Sequence, residues 1–407
     1  MKPDLPGYDE ALERVLAGVP APVPETVDLD VARGRVLLES IKADRDQPPF
    51  DRSAMDGFAV RSDEVAPDRT FAVTGTLSAG APQADMSSRP MTVMRIATGC
   101  PVPRGADAVI PREQAVTSED QGTEKVRFDV AEAGSRRNVH PRASDATAGQ
   151  VVVETGTRLA PQHLAVAATM GRVRLAVAPR PHVKLLTSGD EVRPSSTSSD
   201  RLEDHQIRNS NGPMLRAWFD ALGHPLDLHE HVPDDEAATL AAARAALERS
   251  DLVVTVGGVS AGHRDLLPWA WSELGLETIV HGVAIQPGKP ILVATGDGRM
   301  VVGLPGNPVS ALVTAHLFLW PALRKRSGLD PTLPWRPRPL AEATTANPKR
   351  QLFRCARDRE DGAAAAIAWH GSGDLVHTRD AEGLVRLPVT EGAVAAGTMV
   401  PYLPFVG

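Results

Sequence analysis

The chain has 407 residues, 42% of them hydrophobic and 23% charged, which is ordinary for a globular protein of two to four domains with room for sizeable cores. A net charge of −7 and the lack of any lysine- and arginine-rich block argue against a nucleic-acid binder, so any anionic ligand must be held by a few local groups. The N-terminus has no apolar signal core, no segment approaches the ~18 uncharged apolar residues of a membrane span, and Cys100 and Cys355 are too few for a disulfide framework or a thiolate zinc site. Together these features predict a cytoplasmic protein with no membrane partner and two buried or incidental thiols.

In chain order, residues 8–18 and 28–41 show helical spacing of apolar positions (Leu12, Val15, Leu16; then Leu29, Val31, Val36, Leu37, Ile41) on either side of a proline-rich joint. From about 56 to 153 short β runs follow, FAVTGT, MTVMRI, DAVIP, KVRFDV and VVVE, separated by glycine and proline turns. An alanine-rich helix at 160–171 returns after them, so the β module reads as an insertion in a small helical domain.

Residues 181–325 carry a βα rhythm. HVKLLTS is a strand ending in a polar loop, and NSNGPMLRAWFDALG a helix opened at Ser210 or Asn211 and closed at Gly223. The next helix has Asp234, Asp235 and Glu236 at its start and arginines towards its end, as its dipole favours. It leads into DLVVTVGG, apolar enough for a strand covered on both faces. PILVAT and RMVVGL read as a hairpin, and NPVSALVTAHLFLW as a buried helix with Asn307 as N-cap and Pro308 in its first position. Beyond a proline-rich linker, β-like pieces at FRCAR, AAIAWH, LVRLPV and TMVPYL suggest a small barrel or sandwich. The predicted fold is therefore multidomain α/β plus β: a discontinuous helical domain (1–48 and 141–178), an inserted β domain (49–140), a central α/β domain (179–328) and a C-terminal β domain (329–407).

Five segments place glycine beside a few polar groups: PPFDRSAMDGFAV (48–60), RIATGCPVPRGADAVIP (95–111), TSGDE (187–191), GGVSAGHRD (257–265), and PGKP with LPGNPVSA (287–311). In an open α/β sheet, ligands bind outside the carboxyl ends of the strands, where TSGDE and GGVSAGHRD fall. Gly189 and the Gly257–Gly258 pair let backbone approach a ligand, and Asp190, Glu191 and Asp265 offer hard oxygens suited to Mg²⁺ with phosphate groups; each acid could equally be an N-cap or a solvated loop charge. Pro305, Gly306, Asn307 and Ser310 surround a helix start that attracts anions, though plain capping would use Asn307 as well. Lys289 is presented on a stiff segment between two prolines. Arg354 and Ser372 are weaker candidates for donors to a tetrahedral dianion. There is no Ser–His–Asp order, no H-E-x-x-H and no P-loop, and His163, His263 and His281 lack metal-ligand spacing.

In this order, FDRSAMDGFAV, RIATGCPVPRGADAVIP, TSGDE, GGVSAGHRD, PGKP and LPGNPVSA resemble the motifs of the molybdopterin molybdenumtransferases, the molybdenum insertases related to the E domain of gephyrin, over residues from about 10 to 400. The resemblance implies insertion of molybdate into adenylylated molybdopterin with Mg²⁺-dependent release of AMP. It also implies a homodimer whose active site lies between the α/β domain of one subunit and the β domain of the other, and, as further partners, the adenylyltransferase and recipient molybdoenzymes. By motif, Asp56, Thr98, Glu191 and Asp265 resemble catalytic positions, with Asp190, Glu191 and Asp265 towards the metal. Arg52, Ser53, Ser188, Gly189, Gly257, Gly258, Ser260, Pro305, Gly306 and Asn307 resemble substrate contacts, and Lys289, Ser310, Arg354 and Ser372 the molybdate site. The sequence departs from the family at Gln286, where a lysine is common, and in NVHPRASD (138–145), where Arg142 is the substitute for a lost charge. A non-catalytic scaffold or degenerate paralogue, and an adenylyltransferase built on the same α/β domain, are the competing readings.

Overall fold

The structure, a computed structural model, describes residues 5–258 and 266–406. Its chain forms two compact units, Met1–Thr26 with Ala176–Gly407, and Val27–Leu175.

In the first unit the βα rhythm of the sequence becomes a six-stranded sheet in the order Leu228–Val232, Val183–Ser188, Leu252–Val256, Arg299–Leu304, Leu292–Gly296 and Glu277–His281. The first four strands are parallel; the Leu292–Gly296 strand turns back on Arg299–Leu304 as the expected hairpin, and Glu277–His281 pairs with it antiparallel. Leu252–Val256 is buried at every position. Alternate residues serve two cores: Leu252, Val254 and Val256 join one cluster with Leu215, Trp218 and Phe219, whereas Val253 joins another with Ala243, Ala246 and Trp271. Helices therefore cover both faces, as a hydrophobic parallel strand requires. The Glu236–Arg249 helix is capped by Asp235, whose carboxylate accepts from Ala238 N–H at 2.8 Å. The helix expected after Asn307 begins at Pro308, widens into a π turn at Ala315–Leu319 and continues as Trp320–Arg326. Within that turn buried His316 accepts from Trp218 Nε1–H at 3.2 Å, and burial lowers its pKa to about 4.

The C-terminal β pieces close into a small barrel. Gln351–Asp358, Gly383–Leu387, Met399–Pro404 and Arg336–Pro339 pair in sequence, and the ring is completed by Ala364–Ala366, which pairs with Gln351–Asp358 and bridges Leu340 through Ala364. Leu352, Ala356, Val385, Leu387, Val400 and Tyr402 fill it.

The second unit is built on another six-stranded sheet, in the order Ala108–Pro111, Gly57–Val60, Thr92–Ile96, Thr70–Leu77, Thr123–Phe128 and Ala115–Asp120. Phe58 and Val60 pack with Phe71, Val93, Ile110 and Phe128 on one face, and Ala59 with Met94, Ile96 and Val109 on the other. Gly57 admits no side chain: a Cβ there would stand 2.0 Å from the Ile110 carbonyl oxygen. Cys100 and Cys355 are both buried and free, and burial pushes the Cys355 thiol up to about 12.

Two local expectations are corrected. Residues 28–41 form a single 3-10 turn at Leu29–Val31 and a two-residue strand at Ile41–Lys42, not a helix. Gly34, at φ +76°, breaks the run, and the backbone around it bonds elsewhere: Gly34 N–H donates to Leu159 O and Leu37 N–H to Thr157 O. The Tyr8–Gly18 helix, grouped from sequence with 141–178, buries Tyr8, Ala11 and Val15 in the core of the α/β sheet instead. Tyr8 lies edge-on to Phe318 and Phe353, and Asp9 pairs with Arg386 of the barrel. The nearest apolar surface outweighs sequence grouping.

Candidate functional site

Three parallel strands end side by side, because the register sets Thr187 opposite Val256 and Val256 opposite Leu304. The chain leaves them through Gly189 to Glu191, Gly257 and Gly258, and Pro305 to Asn307. A fourth segment, Gln286 to Pro290, reaches the same end because the strand after it runs antiparallel, with Leu292 opposite Gly303. These loops, Arg350 and the turn from Trp369 to Leu375 line a cleft of about 1110 Å³ at the carboxyl ends of the strands. Gly257 has φ +89°, and a Cβ on it would stand 3.0 Å from Ser188 Oγ, so the first two loops touch only because this residue has none.

Most of the sequence candidates in this unit meet here. Ser188, Gly189, Glu191, Gly257 and Gly258 line the cleft, as do Pro305, Gly306, Asn307, Lys289, Ser310 and Ser372. Ser260 and Asp265 lie outside the described residues. Asp190 is turned from the cleft wall and accepts from Asp234 N–H at 3.2 Å, while its own N–H reaches Asp234 Oδ2 at 3.4 Å. Partial burial holds the Asp234 carboxyl above the usual carboxylate range; the Asp190 N–H opposes this, and the negative charges of Asp190 and Glu191 reinforce it. Asp234, read from sequence as a helix-start acid, is thus a cleft group. Asp235 takes the capping role one residue later.

Asn307 does not cap its helix with its side chain. Its amide donates to Ser372 Oγ at 2.8 Å, and the Val309 N–H donates to Ser372 O at 3.1 Å. Ser372, from the far end of the chain, therefore closes the helix start and forms part of the wall. The back of the cleft is tied by buried Thr187, whose hydroxyl contacts His229 Nε2 at 3.2 Å and His231 Nδ1 at 3.1 Å and accepts from Asn209 Nδ2–H at 3.2 Å. Asn209 Oδ1 in turn accepts from Gly212 N–H, and Asn211 Nδ2–H donates to Gly306 O, fastening the helix between the outer loops.

Arg354 does not line the cleft. Its guanidinium donates to Ile367 O, lies 5.2 Å from the centre of the Trp369 ring and is more than half buried, and desolvation lowers its pKa. It supports Trp369, which does line the cleft. Arg350, four residues earlier, supplies the wall instead. Asn347 Oδ1 holds the Lys349 and Arg350 N–H groups at 2.9 and 3.1 Å, so Arg350 sits in a turn ahead of the strand. The Asn-Pro pair at 347–348 was the signal that could have marked it, since a turn residue is freer to face a ligand than one inside a barrel strand. Among the described residues, the Lys289 ammonium, the Arg350 guanidinium and the Glu191 carboxylate have no side-chain hydrogen bond or ion pair. Gln286, by contrast, accepts from Asn347 Nδ2–H.

The candidates of the second unit form a separate, internally bonded set. Asp56 Oδ1 accepts from both Thr98 N–H (2.7 Å) and Thr98 Oγ1–H (2.9 Å), and the backbone bond first, then the hydroxyl, holds its pKa below the usual carboxylate range. Arg52 pairs with Asp145 at 3.6 Å, and Asp145 also bonds His140 at 2.8 Å. The Ser53 side chain is buried and donates to Met55 O, so it shapes the turn. Arg142 pairs with Asp46 and its N–H with Asp51, leaving its charge already neutralised.

Three family models match in succession: "MoeA N-terminal region (domain I and II)" over residues 7–171, "Probable molybdopterin binding domain" over 184–325, and "MoeA C-terminal region (domain IV)" over 337–405. A "Molybdopterin molybdenumtransferase" of Staphylococcus aureus (strain MRSA252) is 32% identical over 403 residues, 97% of this chain and 94% of that protein. "Molybdopterin molybdenumtransferase 2" of Mycobacterium tuberculosis is 35% identical over 388 residues, covering 93% of this chain and 94% of that one. Among solved structures, a molybdopterin biosynthesis MoeA protein of Pyrococcus horikoshii superposes with a TM-score of 0.83 at 29% identity, covering 99% of this chain and all of that one.

Proposed function

This chain belongs to the molybdopterin molybdenumtransferase family, transferases of molybdenum cofactor biosynthesis, and from that premise we propose that its cleft inserts molybdate into adenylylated molybdopterin with Mg²⁺-dependent release of AMP. The observation that carries the reading is the composition of one cleft: the carboxylates of Glu191 and Asp234 follow the Val183–Ser188 and Leu228–Val232 strands, while cationic and hydroxyl donors stand around the Arg299–Leu304 strand end. A substrate that is both a nucleotide ester and an acceptor of an oxyanion needs both kinds of group within reach.

Lys289, Arg350, Ser310 and Ser372 are the donors for molybdate, with Arg350 in the place first given to Arg354. Molybdate is a tetrahedral dianion, and an arginine fork with a lysine and hydroxyls can engage several of its oxygens at once. Lys289 and Arg350 have no competing side-chain partner among the described residues, so no ion pair must break before the anion binds. Ser188, Gly189, Gly257, Gly258 and Gly306 bring backbone close to the pterin or nucleotide, and Pro305 and Asn307 shape the loop between them.

The donor set also fits Mg²⁺. Glu191 and Asp234 bring hard carboxylate oxygens to the cleft, and Asp190 stands beside them, bonded to the Asp234 backbone. Asp190 and Glu191, with Asp265, are the residues that would hold it. Bound there, Mg²⁺ would polarise the phosphate link between AMP and the pterin. Activity as a cytoplasmic homodimer, with Asp56, Thr98, Arg52, Ser53 and Ser260 contributing to substrate binding or catalysis, belongs to the same reading.

The test is AMP release from adenylylated molybdopterin by the full chain, with molybdate titrated in the presence of Mg²⁺. Molybdate-dependent release coupled to formation of the metallated cofactor is the expected outcome. Release that ignores molybdate, or no release by protein shown by sedimentation to be dimeric, overturns the assignment.

A further inference from the structure

The turn H-G-S-G-D-L-V-H at 370–377 carries a cluster that the proposed reaction does not use. Asp374 is its hub, with a side chain only 13% exposed. Its carboxylate accepts from the His370 N–H at 2.8 Å and the His377 N–H at 3.3 Å. The same carboxylate meets both rings: Oδ2 lies 3.1 Å from His370 Nδ1, and Oδ1 lies 2.7 Å from His377 Nδ1. The two imidazoles stand edge to face with centroids 4.9 Å apart. Ligand atoms of all three side chains lie within 4.8 Å of one another.

We propose that His370, Asp374 and His377 bind one divalent cation of the borderline class, such as Zn²⁺, Co²⁺ or Ni²⁺. Two imidazole nitrogens and a carboxylate oxygen suit these ions, whereas Mg²⁺ prefers oxygen alone. The two imidazole–carboxylate gaps need little adjustment. Bonds of about 2.0–2.2 Å arranged tetrahedrally separate ligand atoms by roughly 3.3 Å, so the Nδ1 to carboxylate gaps would open by a few tenths of an ångström as a cation replaces the shared imidazole protons. The bonds from the backbone to Asp374 hold the carboxylate in place without the metal, as supporting groups around ligands commonly do. His370 and His377 are 81% and 51% exposed, so an ion can enter from solvent and a fourth position is open to water.

The location gives the site a consequence. Ser372, between the two histidines, is the residue that accepts from Val309 N–H and from Asn307, and Trp369, Gly371, Ser372, Gly373 and Leu375 all line the cleft. A cation joining His370 to His377 closes the base of this turn and restrains that wall.

The experiment titrates the untagged full chain with Co²⁺ in excess Mg²⁺, which occupies oxygen-only sites, and reads the visible absorption of the bound ion, with Zn²⁺ as competitor. One equivalent of Co²⁺ displaced by Zn²⁺ is expected, with affinity weakened about 10-fold or more in each of His370→Gln and His377→Gln. No uptake by the parent chain, or unchanged affinity in the double variant, overturns the proposal. A second measurement needs no variant: Zn²⁺ should protect His370 and His377 of the parent from diethyl pyrocarbonate, mapped by mass spectrometry, and equal modification with and without Zn²⁺ would count against the site.

Discussion

The strand-end cleft and the Asp56 set are both polar, glycine-bearing loops, yet they differ in whether their charged groups already have partners. Around Asp56 the carboxylate is held twice by Thr98, Arg52 faces Asp145, Arg142 faces Asp46, and the Ser53 hydroxyl closes its own turn. In the cleft, Lys289, Arg350 and Glu191 have no such partners among the described residues. A bonded set is rigid and presents a fixed shape, while unpartnered charges sharing one concave wall are poised for a ligand of opposite sign. The cleft therefore presents charges without side-chain partners, and the turn around Asp56 presents charges already bonded within the turn.

The largest expected effect breaks that comparison if it fails. Lys289→Ala and Arg350→Ala should each lower molybdate-dependent AMP release by about 100-fold, the scale for removing a charged donor from a preorganised site. Arg354→Ala should instead lower the melting temperature, through loss of the Ile367 and Trp369 contacts, with a smaller effect on turnover. Equal kinetic losses at 350 and 354 would return Arg354 to the site. Next in size, Gly57→Ala forces a side chain onto the Ile110 carbonyl and should destabilise the second unit by about 1–3 kcal/mol, read in chemical denaturation.

A smaller change sharpens the account of the cleft. Gln286→Lys adds a cation to the Gln286–Pro290 segment and should lower the molybdate concentration needed for half-maximal AMP release by several-fold, with little change in the maximal rate. An unchanged molybdate dependence would mean that position 286 faces Asn347 and the barrel rather than the anion.

The smallest effect concerns Asp56. Its folded pKa is depressed by the Thr98 bonds, so its contribution to stability is fully present above the unfolded value of about 3.9 and is lost as pH falls through the lower folded value. Asp56→Asn should therefore flatten the acid limb of the stability profile below about pH 4 and leave it unchanged near neutrality apart from a constant offset. Steepening of that limb would show that the carboxylate is not held as described.

The sequence by itself determined the strands and the loops that follow them. The apolar and β-branched run before Gly257, the hairpin at 290–304 and the Pro308 helix start were legible because propensity, burial and turn chemistry agree over those few residues. From these, the parallel-sheet rule places Ser188, Glu191 and Gly257 at one crevice, while Gly306 and Ser310 read only as a helix start. Where information was long-range, local reading failed. The apolar spacing of 28–41 resembles a helix, but its backbone bonds run to 157–159. The choice between Arg350 and Arg354 depends on which one the barrel buries, and the choice between Asp234 and Asp235 on which one caps the helix. Ser372 meets Asn307 across 65 residues of sequence. Tertiary structure alone decided these points, because burial and hydrogen bonding select among chemically equivalent neighbours only after distant segments have packed together.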